Sequence, residues 1–280
     1  MVNVWYLLND CGSYVYHYTS SDLFIKKIYP NKTLKFSQFV AVNDPREAKE
    51  FEFGYWAEHN EFPVDVNDVG PRISNYIKLS HKIGCFVSDT PAATIASDNP
   101  FKYLPERGFA RPRMWSQYAS NHTGVCLIFK KDVLKLRLAA QFESFFEGSI
   151  KYEPDDHTLG TDNPFNLDVD KLLQLGEEAY FREHVLRHRL RIFFRKSEDW
   201  SQEREWRCVV QTRRNESEFF NFGDALTAIA LGWKISDSDR NEIITLTENE
   251  PIDIAQMNWR NGFPQPTPLL IKQNIIQFRH

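Results

Sequence analysis

Short runs of apolar residues predict β-strands along most of the chain. Tyr14–Thr19 is rich in aromatic and β-branched residues, which is typical of a strand. Later runs such as 83–87 and 125–129 are almost continuously apolar, as expected for buried strands. Strands are predicted at 14–19, 33–39, 83–87, 125–129, 149–152, 208–210, 225–231, 252–256 and 274–278.

Helical periodicity separates these strands at irregular intervals. The longest helical signal covers 170–196, where Ala179, Leu186, Leu190 and Phe193 recur at steps of 7, 4 and 3 and predict the buried face. Shorter helices are predicted at 22–29, 66–80, 114–119, 130–147 and 236–244. The irregular alternation of short strands and helices favours a single α+β domain over a doubly wound sheet.

Composition and charge exclude several classes of protein. The 280 residues carry a net charge of −4, so the chain has no overall electrostatic attraction to nucleic acid or to an anionic membrane. No apolar run approaches about 18 residues and no signal-peptide pattern opens the sequence, so neither a membrane span nor export is expected. The four cysteines lie far apart, which predicts no zinc site and a cytoplasmic location.

The outer face of the predicted helix 170–196 is basic. Such a face is usually solvated, but it can also bind the phosphates of a polynucleotide or a cofactor. His184 and His188 are four residues apart on this helix and could share a metal ion. No third ligand and no H-E-x-x-H motif accompany them, so no metal site is predicted.

The stretch 200–210 concentrates the candidate chemistry. Its sequence WSQEREWRCVV places Glu203, Glu205 and Arg207 on one face of an extended segment, with Arg204 and Trp206 on the other. Two interpretations are open: a solvated edge strand with internal ion pairs, or a catalytic strand that presents two carboxylates. Paired carboxylates raise the pKa of one member, which suits a general base.

Two polar positions upstream also have two interpretations each. His17 and Thr19 lie at the end of the first predicted strand, where a histidine serves either structure or catalysis. Asp44 precedes Pro45 and Glu47, a pattern that predicts a helix N-cap with a capping box. The capping interpretation accounts for Asp44 and Glu47 without any function.

Several sequence blocks together resemble a widespread bacterial family, domain of unknown function 2971. The blocks are Tyr16-His17-Tyr18, Leu34-Lys35-Phe36-Ser37, Asn43-Asp44-Pro45, Cys85-Phe86, Met114-Trp115-Ser116-Gln117-Tyr118-Ala119 with His122 and Gly124, Lys196 with Trp200 to Arg207, and Ala228-Ile229-Ala230-Leu231-Gly232. The sequence departs from the family pattern at Arg46, where an aromatic residue is usual, and at Val87, which separates Phe86 from Ser88. The resemblance predicts a single domain over 1–280, with a family-like core at 14–232 and a C-terminal extension at 233–280 that packs on it.

This family is in turn similar to ADP-ribosyltransferases, which implies a split, mixed β-sheet core and NAD as a substrate. By this resemblance Glu205 stabilises the positive charge that forms on the ribose, and Glu203 positions or deprotonates the acceptor. The resemblance assigns NAD binding to His17, Tyr18, Thr19, Asn43, Asp44, Trp115, Tyr118 and Arg207. His17 and Thr19 would hydrogen-bond the nicotinamide ribose and amide, Trp115 or Tyr118 would stack on the nicotinamide, and Arg207 or an arginine of the 182–196 segment would pair with the pyrophosphate.

The expected activity is therefore ADP-ribosyl transfer to nucleic acid or protein, in a toxin or phage-defence effector. Two alternatives remain open. One is a metal-dependent, nuclease-like or nucleic-acid-binding module that uses Glu203, Glu205, Asp44 and His17 as ligands. The other is a ligand sensor that keeps the pocket without turnover.

Overall fold

A mixed β-sheet organises the computed structural model, which describes residues 11–58, 68–91, 100–154, 163–214, 216–270 and 272. The described strands are β1 Tyr14–Thr19, β2 Thr33–Gln38, β3 Gly54–Trp56, β4 His81–Ser88, β5 Val125–Lys130, β6 Phe145–Ser149, β7 Lys151–Glu153, β8 Asn166–Asp168, β9 Arg195–Ser197, β10 Glu205–Gln211, β11 Glu218–Asn221, β12 Leu226–Leu231, β13 Asp253–Arg260 and β14 Phe263–Leu270. Within the described residues ten strands form the main sheet, and β3–β8 and β7–β9 form two small parallel pairs.

Helices cover the sheet and connect its strands. They are α1 Ser21–Leu23, α2 Tyr29–Asn31, α3 Pro45–Ala48, α4 Val69–Ser80, α5 Pro112–Tyr118, α6 Lys131–Gln141, α7 Val169–Leu175, α8 Glu177–Phe193 and α9 Asp237–Leu246. A π-helical segment, Phe24–Ile28, separates α1 from α2, and the 3-10 segments are Phe39–Ala41, Pro100–Glu106, Gly108–Ala110, Glu198–Glu203 and Gly223–Ala225. The α+β class and the mixed sheet predicted from the sequence are confirmed, since β12 and β13 are parallel while the other main-sheet pairs are antiparallel.

The main sheet divides at β4. One edge of β4 pairs with β10 along its whole length, from Glu205 opposite Val87 to Gln211 opposite His81. Two strands share the other edge, because β1 pairs with 87–88 of β4 and β2 pairs with 82–83. β1 and β2 therefore diverge at the middle of β4 and leave a fork beside Cys85.

Alternation along β4 and β10 determines which side chains meet at the fork. Phe86 and Trp206 point into one large apolar cluster, together with Val15 and Phe129. On the opposite face Val87 joins a second cluster around Trp115, and Ile83 joins a third around Phe193. Cys85 and its cross-strand partner Arg207 lie between the second and third clusters, so the sheet holds a polar site between two apolar packing regions.

The prediction of one helix over 170–196 is wrong in two respects: the segment forms two helices, and the buried side chains differ from those predicted. Gly176, with φ +76°, separates α7 from α8, and β9 follows the end of α8. Leu186 and Leu190 are 50% and 65% exposed, whereas Tyr180, His184 and His188 are buried. The hydropathy pattern missed this face because His184 is satisfied by a hydrogen bond from Nε2 to the Pro164 carbonyl (2.8 Å).

Six described strands escaped the sequence prediction: β3, β6, β8, β9, β11 and β14. The predicted helix 130–147 ends at Gln141, and β6 follows as the outer partner of β10. β14 contains Pro264, Pro266 and Pro268 at alternate positions of the terminal strand in the sheet order. Proline is tolerated on an edge strand because its missing N–H faces away from the partner. The predicted strand 274–278 lies outside the described residues.

Candidate functional site

A cavity of about 250 Å³ occupies the fork between β1 and β2. Its walls come from β1, β2, β4, α5 and the segment that leads into β10. The polar side chains among the lining residues are His17, Lys35, Ser37, Asn43, Asp44, Cys85, Tyr118, Lys196, Glu203, Glu205 and Arg207. The fork therefore gathers residues that are up to 190 positions apart in the sequence (from His17 to Arg207).

A buried ion cluster forms one wall of this cavity. Arg207 is fully buried and donates to Glu205 from Nε to Oε1 (2.6 Å) and from Nη2 to Oε2 (3.2 Å). The same guanidinium donates to both carboxylate oxygens of Glu47, and Nη1 also donates to the Phe193 carbonyl (2.7 Å). Arg207 thus joins α3, β10 and the end of α8 through one planar donor group.

Lys196 is the second cation of the cluster. Its Nζ lies 2.7 Å from Glu205 Oε2, 3.1 Å from Glu203 Oε2 and 3.9 Å from Glu47 Oε2. Tyr118 completes the cluster by donating its hydroxyl hydrogen to Glu203 Oε1 (2.6 Å). We refer to Glu47, Glu203, Glu205, Lys196 and Arg207 as the ion cluster.

Local backbone geometry brings Glu203 to the cavity. The prediction of one extended segment from Glu203 to Arg207 is wrong, because Glu203 ends the 3-10 segment Glu198–Glu203. Arg204 follows in the left-handed region, with φ +48°, and β10 begins at Glu205. Strand alternation places Glu205 beside Arg207, whereas the change of direction at Arg204 brings Glu203 to the same cavity wall.

Neighbouring charges decide which carboxylate stays ionised. Burial raises the pKa of Glu205, but the attraction and hydrogen bonds of Arg207 and Lys196 outweigh burial and lower its pKa to about 2. At Glu47 burial raises the pKa more than the attraction of Arg207 lowers it. Burial lowers the pKa of Lys196, but Glu205 and Glu47 more than offset this and raise it, so Lys196 stays an ammonium ion. Glu205 is therefore a fixed and ionised carboxylate, 4% exposed at the cavity wall.

His17 and Cys85 lie where β1 leaves β4. The Nδ1 of His17 is 3.1 Å from the Cys85 carbonyl, which fills the gap in the strand ladder. Burial lowers the pKa of His17, so its imidazole is neutral at pH 7. The Cys85 side chain is exposed to the cavity, although the surrounding protein still raises the pKa of its thiol, with Glu205 adding to the effect.

The turn at 43–44 supplies further polar groups. Asp44 caps α3 by accepting a hydrogen bond from the Arg46 N–H at Oδ1 (3.0 Å), which confirms the predicted N-cap. The predicted capping box is wrong, because the Glu47 carboxylate turns to Arg207 instead. Asp44 is 4% exposed, and its Oδ2 is buried without a hydrogen-bond partner among the described residues. Asn43 is exposed and lines the cavity. A buried oxygen without a partner is costly, so Asp44 Oδ2 is suited to accept a hydrogen bond from a ligand.

Comparison with known proteins gives a match to a segment that carries several of the cavity residues. Residues 114–208 match the family described as Protein of unknown function (DUF2971). The chain is similar to this DUF2971 family over those residues, which include Tyr118, Lys196, Glu203, Glu205 and Arg207. This supports the resemblance inferred from the sequence blocks. No curated protein and no solved structure matches the chain.

Of the remaining predicted site residues, some line the cavity and others do not. Tyr118 and Tyr18 line the cavity, but the Tyr18 hydroxyl donates to the Gly108 carbonyl (2.7 Å). Trp115 is fully buried, does not line the cavity and donates from Nε1 to the Phe109 carbonyl (2.8 Å). Thr19 is buried and also does not line the cavity. Neither position fits the predicted contact with NAD.

Arg207 does not fit its predicted role as a pyrophosphate partner. Glu47, Glu205 and the Phe193 carbonyl already occupy its donors, and its side chain is 0% exposed. It is a positioning residue that holds Glu205. Lys35, which is exposed and lines the cavity, is better placed to meet an anionic group at the fork.

Sequence reasoning missed Lys35, to which it gave no role, and three further members of the site. Glu47 was explained by the capping box, Lys196 by a basic helix face and Cys85 by its apolar run. Glu47 contacts Arg207 across 160 residues of chain, so no local pattern could indicate the pairing. The signal that could have found Lys196 is the sequence block that joins it to Trp200–Arg207.

The stability of the fold is expected to depend on Glu205 in acid. Its folded pKa of about 2 lies below the ordinary value of 4.5, so the unfolded chain binds this proton more readily. The contribution of Glu205 to the free energy of unfolding is complete above about pH 4.5 and is lost as pH falls toward 2. Urea denaturation from pH 5 to pH 2.5 should show this loss, with a smaller slope in Glu205→Gln. Equal slopes in the two proteins would contradict the assignment.

Proposed function

We propose that the fork cavity binds NAD and that the protein is an ADP-ribosyltransferase-like enzyme that uses NAD as a substrate. The observation that carries this proposal is Glu205, an ionised carboxylate held by two buried cations at the wall of a cavity. Cleavage of the bond between nicotinamide and ribose places positive charge on the ribose. A carboxylate that is already oriented and shielded from water stabilises that charge without reorganisation.

The other cavity residues suit the nicotinamide half of NAD. Neutral His17 and the unpartnered Asp44 Oδ2 offer hydrogen bonds to ribose hydroxyls or to the carboxamide. Tyr118 offers a ring for the nicotinamide, and it replaces Trp115 in this role. The cavity of about 250 Å³ lies just below the range of about 300–1,000 Å³ for small-molecule pockets. It therefore suits the nicotinamide ribose, with the pyrophosphate directed toward Lys35.

Glu203 is assigned to the acceptor. It shares Lys196 with Glu205, and Tyr118 donates to its other oxygen. Burial, together with Glu203, raises the pKa of Tyr118, so the phenol keeps its proton. Glu203 can then accept a proton from an acceptor group as the new bond to the ribose forms and nicotinamide leaves with the bonding electron pair. The acceptor is nucleic acid or protein, as expected for a toxin or phage-defence effector.

The proposed reaction is tested by incubating the purified protein with NAD and measuring free nicotinamide by chromatography. Release of nicotinamide, together with labelling of DNA, RNA or protein by a tagged NAD, is the expected result. A parallel arm contains divalent metal and nucleic acid but no NAD. Cleavage in that arm with no release of nicotinamide would reject the proposal in favour of the nuclease-like alternative. NAD binding without release would favour the ligand sensor.

No specific observation favours the metal-dependent alternative. Among the described residues, no group of three His, Cys, Asp or Glu side chains is arranged to hold a metal ion. Lys196 lies against Glu203 and Glu205, and Arg207 lies against Glu205, so these cations already balance the negative charge that would attract a metal ion.

Membrane insertion is a separate question. Among the described residues, the structure contains no helix with the length and apolar character of a membrane span.

A further inference from the structure

A second concave surface lies behind the segment that carries Glu203 and Glu205. It is a groove of about 300 Å³ whose charged lining residues are Glu106, Arg111, Arg113 and Arg204. We call it the arginine groove. The same two segments wall the groove and the fork cavity: Gln202 and Arg204 line the groove, whereas Glu203 and Glu205 line the cavity. Likewise Arg113 of α5 lines the groove and Met114 lines the cavity.

Arg111 is buried in this groove, and Glu106, which attracts it, is already paired with Arg204. Arg111 is 9% exposed, and its Nη2 donates a long hydrogen bond to Gln202 Oε1 (3.4 Å). No carboxylate among the described residues forms an ion pair with it. Burial lowers the pKa of Arg111, and repulsion by Arg204 lowers it further. A buried cation without a partner is unfavourable, so this position is prepared for an anion.

Two other buried arginines, unlike Arg111, form ion pairs with carboxylates. Arg107 is 1% exposed and pairs with Asp89 at 3.1 Å, and Arg207 pairs with two carboxylates. In the groove, Glu106 pairs with Arg204 at 3.0 Å, which leaves Arg111 and Arg113 without an acidic partner among the described residues. Arg113 donates instead to the neutral amide of Gln117 (3.0 Å). The groove therefore carries an excess of two guanidinium groups.

Guanidinium groups recognise phosphate oxygens by paired hydrogen bonds. The proposed NAD site is the fork cavity, across the 202–205 segment from the groove, so a phosphate in the groove would belong to a second substrate. The face of α8 is a weaker candidate for phosphate binding, because Arg182 pairs with Glu178 and Arg189 donates to the Leu186 carbonyl (2.7 Å). The groove is also next to Glu203, which we assign to the acceptor.

We propose that the arginine groove binds a backbone phosphate of a nucleic-acid acceptor strand and holds that strand beside Glu203. The acceptor role rests on the proposed ADP-ribosyl transfer, whereas binding of the strand does not require NAD. A nucleic acid is favoured over a protein acceptor because a strand carries a phosphate at every nucleotide, which matches the excess positive charge of the groove.

Strand binding is tested without NAD by fluorescence anisotropy with labelled single-stranded DNA and RNA over a range of salt concentrations. Arg111→Gln and Arg113→Gln should each weaken binding by about 3- to 10-fold at low salt. Each should also reduce the slope of log K against log salt by about 0.7, the value for one phosphate contact on a single strand. The matched control is Arg182→Gln, an exposed arginine of α8, which should leave affinity and slope unchanged.

Thermal unfolding distinguishes loss of the binding contact from loss of binding through misfolding. Arg113 is exposed, and Arg111→Gln removes an unpaired buried charge, so both variants should match or exceed the wild-type Tm. The proposal is overturned if folded Arg111→Gln and Arg113→Gln bind the strands as tightly as wild type, or if wild type binds neither strand. It is also overturned if inorganic pyrophosphate or NAD displaces the oligonucleotide at equal phosphate concentration, which would make the groove a nucleotide site.

These outcomes are distinguishable from failure of the proposed function. Nicotinamide release by wild type, measured without nucleic acid, tests the NAD reaction alone. Strand binding by the variants, measured without NAD, tests the groove alone. Binding that depends on Arg111 and Arg113 without any nicotinamide release supports the groove and rejects the transferase.

Discussion

Glu205→Gln is expected to lower the rate of nicotinamide release from NAD by about 100- to 1,000-fold, the effect of losing one preorganised electrostatic group. Glutamine keeps the shape of the side chain but removes the ionised carboxylate that faces the cavity. Because the positive charge on the ribose exists only in the transition state, kcat should fall while the KM for NAD changes little. Steady-state kinetics with chromatographic detection of nicotinamide measure both constants.

A matched control is available five residues after the end of α8. Glu198→Gln makes the same chemical change at an exposed position of the 3-10 segment that leads to Glu203. It should retain wild-type kinetics. Glu205→Gln should be compared with it at a temperature where circular dichroism shows both proteins folded. Equal activity of the two variants would remove Glu205 from the reaction.

Glu203→Gln separates the roles of the two carboxylates. If Glu203 serves the acceptor, this variant should lose ADP-ribosyl transfer while it still releases nicotinamide through slow hydrolysis by water. If instead nicotinamide release falls as far as in Glu205→Gln, the two residues act on the same step. The division of roles between Glu203 and Glu205 would then be wrong.

The sequence predicts best those parts of the site that follow from a pattern of neighbouring residues. Apolar runs located β4, β5 and β12, and the pair of carboxylates in 200–210 identified the right cavity wall. The predicted start of the extended segment at Glu203 was wrong because Arg204 takes a positive φ of 48°, and β10 begins only at Glu205. A non-glycine residue in that region is uncommon, and period-two alternation cannot anticipate it.

Long-range pairing accounts for most of what the sequence could not show. Glu47 is a helix-cap residue in the sequence and a ligand of Arg207 in the fold. Trp115 looked like a stacking residue, but its indole is fully buried and hydrogen-bonded to a backbone carbonyl. Local patterns report the secondary structure that a residue adopts. They do not report which distant segment packs on it, and the fork cavity depends on such contacts, as between Glu47 and Arg207.

Arg207→Met is expected to lower the free energy of unfolding by about 3–5 kcal/mol, the usual cost of breaking a buried ion pair by removing one partner. Methionine fills much of the volume but leaves Glu47 and Glu205 buried with Lys196 as their only cation among the described residues of the ion cluster. Since domains of this kind are stable by about 5–15 kcal/mol, the loss is a large fraction of the total. Urea denaturation at pH 7 measures it.

The control is Arg72→Met. Arg72 also donates to a glutamate, Glu177, but this pair lies at the surface, with side chains 46% and 42% exposed. Exposed pairs contribute about 0–1 kcal/mol, so the same substitution should cost little. A loss in Arg207→Met as small as that in Arg72→Met would contradict the buried cluster.

The double variant Glu47→Gln with Arg207→Met tests the cause of the loss. If the cost comes from an uncompensated carboxylate, then neutralising Glu47 should restore part of the stability, and the two substitutions should not be additive. Arg207→Lys should lie between wild type and Arg207→Met, because an ammonium keeps the charge but cannot hold two carboxylates in the geometry of a guanidinium. Additive losses in the double variant would mean that Arg207 acts through packing alone. Glu205 would then owe its position in the cavity to Lys196 and to the backbone of β10.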